Sequence, residues 1–155
     1  MSEPLILTAP TAADLQAIGE RLGRALDAGD VLALVGPLGA GKTTFVQGVA
    51  RGLEVAPDRH VASPTFALVN EHPGRVPLVH ADLYRIADPR ELDELGLVDA
   101  FDRAAVAIEW LDRFPDAAPA ARLTITIAIA ADGTRRLTFQ ASGARAETLI
   151  GRLLS

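Results

Sequence analysis

The chain has 155 residues, 49% of them hydrophobic and 23% charged, a composition suited to one folded globular domain and far from that of a disordered chain. It carries no cysteine, which excludes disulfides and thiolate metal sites and favours a reducing, cytoplasmic setting. The formal charge of −5 argues against direct nucleic-acid binding, because phosphate neutralisation requires a basic surplus.

The first residues lack a basic start followed by a long apolar run, so no signal peptide is expected. No apolar stretch nears the ~20 residues of a membrane-spanning helix. Leu5 to Thr8 reads as a first strand. Thr11 and Asp14 then form a capping-box pattern, and Leu15, Ile18, Leu22 and Leu26 recur at helical spacing, with a stop expected near Gly29. Val31 to Val35 is a continuous apolar run, the pattern of a buried parallel strand.

Directly after it, Gly36-Pro37-Leu38-Gly39-Ala40-Gly41-Lys42-Thr43 fits G-x-x-x-x-G-K-[ST]. Glycines let backbone N–H groups curl around phosphates, and the helix expected from Lys42 to about Leu53 aims its free N–H groups at the same anion. Lys42 is the sole lysine of the chain. Its ammonium suits the β- and γ-phosphates of ATP, and the Thr43 hydroxyl suits Mg²⁺. Gly39, Ala40, Gly41, Lys42, Thr43 and Thr44 are therefore the expected nucleotide-binding set.

Ser63-Pro64-Thr65-Phe66 follows that helix. A hydroxyl in this place can sense a γ-phosphate, and Ser-Pro equally favours a plain turn. Phe66 to Asn70 and Val76 to Ala81 read as strands around a His72-Pro73-Gly74 turn. Asp88-Pro89 caps a short helix ending near Gly96, and Ala104 to Ile108 is another buried strand. Asp82 and Glu109 end two of these strands, where an acid holds Mg²⁺ or orients water; spacing does not rank them. Trp110 suits either packing or a platform for a partner or the nucleotide pocket. His60, His72 and His80 show no metal spacing and read as structural or exposed.

Strands at Leu123 to Ala130 and Arg136 to Gln140 flank an Asp132-Gly133 turn, with Arg135 and Arg136 as solvated charges. Ala144 to Leu154 is a helix burying Leu149, Ile150, Leu153 and Leu154. The order predicts an α/β fold of the P-loop NTPase type: a mainly parallel central sheet flanked by helices, with an antiparallel hairpin near the C-terminus.

Four motifs in order resemble the TsaE (YjeE) family, the ATPase subunit of bacterial tRNA threonylcarbamoyladenosine synthesis. They are Gly39-Ala40-Gly41-Lys42-Thr43-Thr44, Ser63-Pro64-Thr65-Phe66-Ala67-Leu68-Val69, His80-Ala81-Asp82-Leu83-Tyr84-Arg85 and Glu109-Trp110, with Glu91 to Gly96 as a fifth similarity. The resemblance implies that Lys42 contacts phosphate, that Thr43 and Glu109 bind Mg²⁺, and that Asp82 serves hydrolysis. It implies that Thr65 belongs to a switch-like loop, that Trp110 lies by the nucleotide, and that Thr11 and an arginine of the late hairpin border it. It also implies partners, TsaB and TsaD, through which the protein meets tRNA. Pro37 stands where many relatives carry an acid, and Leu111-Asp112 where they often have Pro and Glu. A small-molecule or nucleotide kinase is the alternative reading of the glycine loop, and a nucleotide-gated binding module a third.

Overall fold

The computed structural model describes residues 3–58, 61 and 68–155. Strand β1 (Leu5–Ala9) leads into helix α1 (Ala12–Ala25), whose first turn is closed by the Thr11–Asp14 capping box. Strand β2 (Val31–Val35) and helix α2 (Lys42–Gly52) bracket the glycine loop. The hairpin β3 (Val69–His72) and β4 (Leu78–Asp82) comes next. A 3₁₀ turn over Pro89–Leu95 stops at Gly96, whose positive φ of 71° breaks it before the short helix α3 (Leu97–Ala100). Strand β5 (Ala105–Glu109), the hairpin β6 (Arg122–Ile129) and β7 (Arg135–Ser142), and helix α4 (Ala144–Leu154) complete the order. Of the strand expected over Phe66 to Asn70, residues 66 and 67 lie outside the described residues.

All seven strands form one sheet in the order β1-β7-β6-β2-β5-β4-β3. The centre is parallel, with β2 between β5 and β6 and β4 beside β5. The β1–β7, β6–β7 and β3–β4 pairings are antiparallel. The sheet is therefore mixed, which corrects the expected mainly parallel one. The cause is that both outer flanks are built from antiparallel neighbours, and β1 closes the far edge against a strand distant in sequence, with Leu5 opposite Phe139.

Strand pleating divides the core into two layers. Leu32, Leu34, Ala105 and Ala107 face α1, α2 and α4, whereas Val31, Ala33, Val106 and Ile108 face α3, the Pro89–Leu95 turn and Leu111. Helices α1 and α2 meet closely enough that a Cβ at Gly19 would lie 2.4 Å from the Phe45 carbonyl oxygen, and one at Gly48 only 2.1 Å from that of Gln16. Helix α1 stops at Ala25, short of Gly29, because two distant arginines take its last carbonyls. Arg75 donates to the carbonyls of Gly23 and Leu26, each at 3.1 Å, and Arg145 to that of Ala25 at 2.9 Å. On α4, Ala146, Leu149, Ile150 and Leu153 are buried; Leu154, expected inside, is exposed. Among the described residues no helix is long and apolar enough to cross a membrane.

Candidate functional site

The glycine loop leaves the C-terminal end of β2 and enters α2 through Gly39 and Gly41, with φ of 80° and 106°. Side chains rarely adopt that region, so glycine is required at both positions. Gly41 is the N-cap of α2 and offers no side chain to its first N–H groups. Those donors and the positive end of the helix dipole face the loop, which is the arrangement that holds phosphate groups.

Lys42 follows at the first position of α2 and is only 6% exposed. Its Nζ donates to the Gly36 carbonyl at 2.7 Å, lies 3.8 Å from Glu109 Oε1, and stands 4.5 Å from the centre of the Trp110 ring. Glu109 ends β5 and is 3% exposed. Its second oxygen, Oε2, is 2.7 Å from Nε2 of the fully buried His80. Asp82 ends β4 directly opposite Glu109 in the parallel register. Burial pushes the Asp82 carboxyl above its ordinary range; the Tyr84 N–H donated to it opposes this, and the charge of Glu109 adds to the rise.

A cavity of about 590 Å³ joins these groups, lined by Gly39, Gly41, Lys42, Thr43 and Thr44 on one side and by Asp82, Glu109 and Trp110 on the other. Trp110 holds a left-handed backbone (φ 64°), and its ring packs 5.0 Å from that of Tyr84. A second, largely apolar cavity of about 500 Å³ shares Lys42 and Trp110 and otherwise runs along β2, Gly36-Pro37, β6 and Asp112, without Asp82 or Glu109. The chemistry-bearing side chains converge on the first.

Two expected members, Ala40 and Thr11, are not on the cavity wall. Ala40 is fully buried behind the loop and gives its carbonyl, not a surface. Thr11 spends its hydroxyl on the cap of α1 and is not part of the cavity wall. Thr65 lies outside the described residues.

Arg135, read from the turn as a solvated charge, lines the cavity and clamps the loop; it is the hairpin arginine that the resemblance set beside the nucleotide. Its Nε donates to the Ala40 carbonyl at 2.8 Å and its Nη2 to that of Gly39 at 3.3 Å, so the start of β7 holds the loop. Arg136 is exposed, as expected. His80 was also underrated. Its position two residues before Asp82, on the same strand face by the pleat, was the available signal.

The donor set fits a magnesium nucleotide. Mg²⁺ takes few protein ligands and completes its shell with phosphate oxygens and water, so one hydroxyl and one carboxylate suffice. Among the described residues no cluster of three or more His, Asp or Glu competes for a metal.

The family model "Threonylcarbamoyl adenosine biosynthesis protein TsaE" matches residues 9–137, from the end of β1 through the Arg135 clamp. The chain belongs to the TsaE family. A TsaE protein of Bacillus subtilis is 45% identical over 127 residues, covering 81% of this chain and 78% of its own length. One from Treponema pallidum is 36% identical over 129 residues, covering 83% and 94%. The crystal structure of Bacillus subtilis YdiB superposes with a TM-score of 0.83 at 35% identity, spanning 99% of this chain and 96% of that one. The TsaE relationship thus reaches both edges of the sheet and is not confined to the glycine loop.

Proposed function

We propose that this chain is a P-loop ATPase, a Mg²⁺-dependent ATP-binding and ATP-hydrolysing component of tRNA threonylcarbamoyladenosine modification. It acts in the cytoplasm with TsaB and TsaD homologues and meets tRNA through them. Membership of the TsaE family supports the pathway. The chemistry is carried by one observation: a buried lysine at an uncapped helix N-terminus faces a buried carboxylate across a cavity whose rim holds a second acid.

In this reading the N–H groups of Gly39 and of residues 41–44 cradle the phosphates, while that of Ala40 is bonded to the Pro37 carbonyl at 3.1 Å. Lys42 exchanges the Gly36 carbonyl for the β- and γ-phosphate oxygens, a movement within reach of its flexible stem. Thr43 and Glu109 hold Mg²⁺, which supplies neutralisation of charge on the phosphate oxygens. Asp82 orients the attacking water and accepts its proton, and burial makes it a stronger base than an exposed carboxylate. Trp110 and Tyr84 wall the cavity and limit bulk water. Arg135 keeps the loop carbonyls turned away from the phosphates they would repel.

The test is ATP titration with and without Mg²⁺, followed by measurement of released phosphate and of modified tRNA with TsaB and TsaD present. Binding of ATP, phosphate release into water and a modification yield that depends on this chain are expected. Absence of ATP binding would sink the proposal, and phosphate transferred to an added nucleoside or sugar would make the chain a kinase.

A further inference from the structure

We infer that His80 is a positioning residue that fixes the Glu109 carboxylate so that its other oxygen faces the metal and Lys42. The inference rests on the proposed Mg²⁺-nucleotide site and extends it to a residue outside the cavity wall.

The sheet register creates the contact. His80 stands opposite Ala107 on β5, and Asp82 opposite Glu109, so His80, Asp82 and Glu109 share one face. That face carries α1 and α2, and hence Lys42. Glu109 leans back along its strand until Oε2 is 2.7 Å from His80 Nε2. A carboxylate accepts, so Nε2–H donates, and the remaining oxygen Oε1 is the one turned to Lys42 at 3.8 Å. A glutamate at a strand end has three freely rotating bonds. Bonded on one oxygen, it presents the other in a single direction.

Packing alone does not call for a histidine here. His80 is fully buried, and its Nδ1 has no hydrogen-bond partner among the described residues. An unpaired polar atom in an apolar layer is a cost that leucine would avoid. The hydrogen bond that offsets it goes to Glu109, the buried acid of the site. Orientation of Glu109 is therefore what the imidazole provides.

The experiment compares His80→Leu, which keeps the volume without a donor, with His80→Gln, whose amide N–H reaches a similar place. Bound Mn²⁺ is counted by its electron paramagnetic resonance signal on the full chain saturated with a non-hydrolysable ATP analogue. Analogue affinity in EDTA is read separately from Trp110 fluorescence. His80→Leu is expected to lower Mn²⁺ affinity about 10- to 100-fold, with metal-free analogue affinity within about twofold of the parent. His80→Gln is expected to recover most of the loss. Parent-like Mn²⁺ affinity in His80→Leu, an equal loss of metal-free affinity, or failure of the glutamine to rescue would each overturn the inference.

Should His80→Leu fail to fold, the unaltered chain gives the answer. Its His80 Nε2 nitrogen resonance must move when Mg²⁺ is added to the analogue complex, and an unmoved resonance overturns the inference. If the parent chain binds no analogue, it is the nucleotide site itself that has failed.

Discussion

Replacing Gly48 by alanine places a methyl group 2.1 Å from the Gln16 carbonyl oxygen, 2.9 Å from its carbon and 3.0 Å from its Cα. All three atoms are backbone, so no side-chain rotation relieves the overlap. Helices α1 and α2 must part by roughly 1 Å to restore ordinary contact. Overpacking of this kind costs about 1–3 kcal/mol, and the rigid partner argues for the upper end. Alanine returns about 1 kcal/mol through its helix propensity. The net loss is about 2 kcal/mol, which for a chain of this size lowers Tm by about 4–8 °C. Gly151→Ala on α4 is the control, because its Cβ meets nothing within 4 Å. There the propensity gain stands alone, and Tm should rise by about 2–4 °C. Calorimetry of the two variants without ligand checks both signs. A Gly48→Ala protein as stable as its parent would refute the idea that backbone contact between these helices sets their distance. Because α2 also carries Lys42 and Thr43, the same variant should lose ATP affinity, whereas Gly151→Ala should not.

Lys42→Ala is expected to reduce phosphate release at least about 100-fold, since the ammonium facing the phosphates is lost, and turnover at the parent rate would refute that assignment. Arg135→Ala removes two hydrogen bonds from the loop carbonyls of Ala40 and Gly39. At about 1 kcal/mol each, ATP affinity should fall roughly 30-fold in a titration, with Arg136→Ala as the unaffected comparison. Asp82→Asn should cut hydrolysis more than ATP affinity, and should raise Tm at neutral pH in the absence of nucleotide. The sign follows from the raised carboxyl: the folded state holds the proton more readily, so stability falls as pH climbs from the ordinary value of 3.8 through the folded one. Asparagine lacks that loss, and its advantage in a melting series should vanish below about pH 3.8. An advantage that persists in acid would mean that something other than charge is responsible.

Features set by neighbouring residues were legible in the sequence. The Thr11–Asp14 cap, the strand–loop–helix from Val31 through Lys42, the Asp132-Gly133 turn and α4 all formed close to where their local patterns placed them. Features set by distant residues were not. The end of α1 depends on Arg75 and Arg145, which approach from other elements, and no glycine marks it. The pairing of β1 with β7 is likewise non-local, and it turned an expected mainly parallel sheet into a mixed one. The close approach of Gly19 and Gly23 on α1 to Gly48 and Gly52 on α2 is also a contact between distant residues that the fold alone shows.

The same distinction explains the site. Lys42 and Thr43 were readable because the loop is contiguous, and Asp82 and Glu109 because each ends an apolar run at the sheet edge where β2, β4 and β5 all finish. Their relative roles were not readable, since position at a strand end is common to both. Burial separates them. Glu109 is enclosed, bonded by His80 and faced by Lys42, which suits the metal-ligand role proposed for it. Asp82 is only half-buried, and its Oδ1 accepts the Tyr84 N–H of its own turn. Burial raises the Asp82 carboxyl, and the neighbouring charge of Glu109 adds to the rise. In the proposed function, an enclosed and aimed acid beside one whose proton affinity is raised is a division between holding a cation and moving a proton. The pleat that puts both on the face of α2 is what makes the division possible.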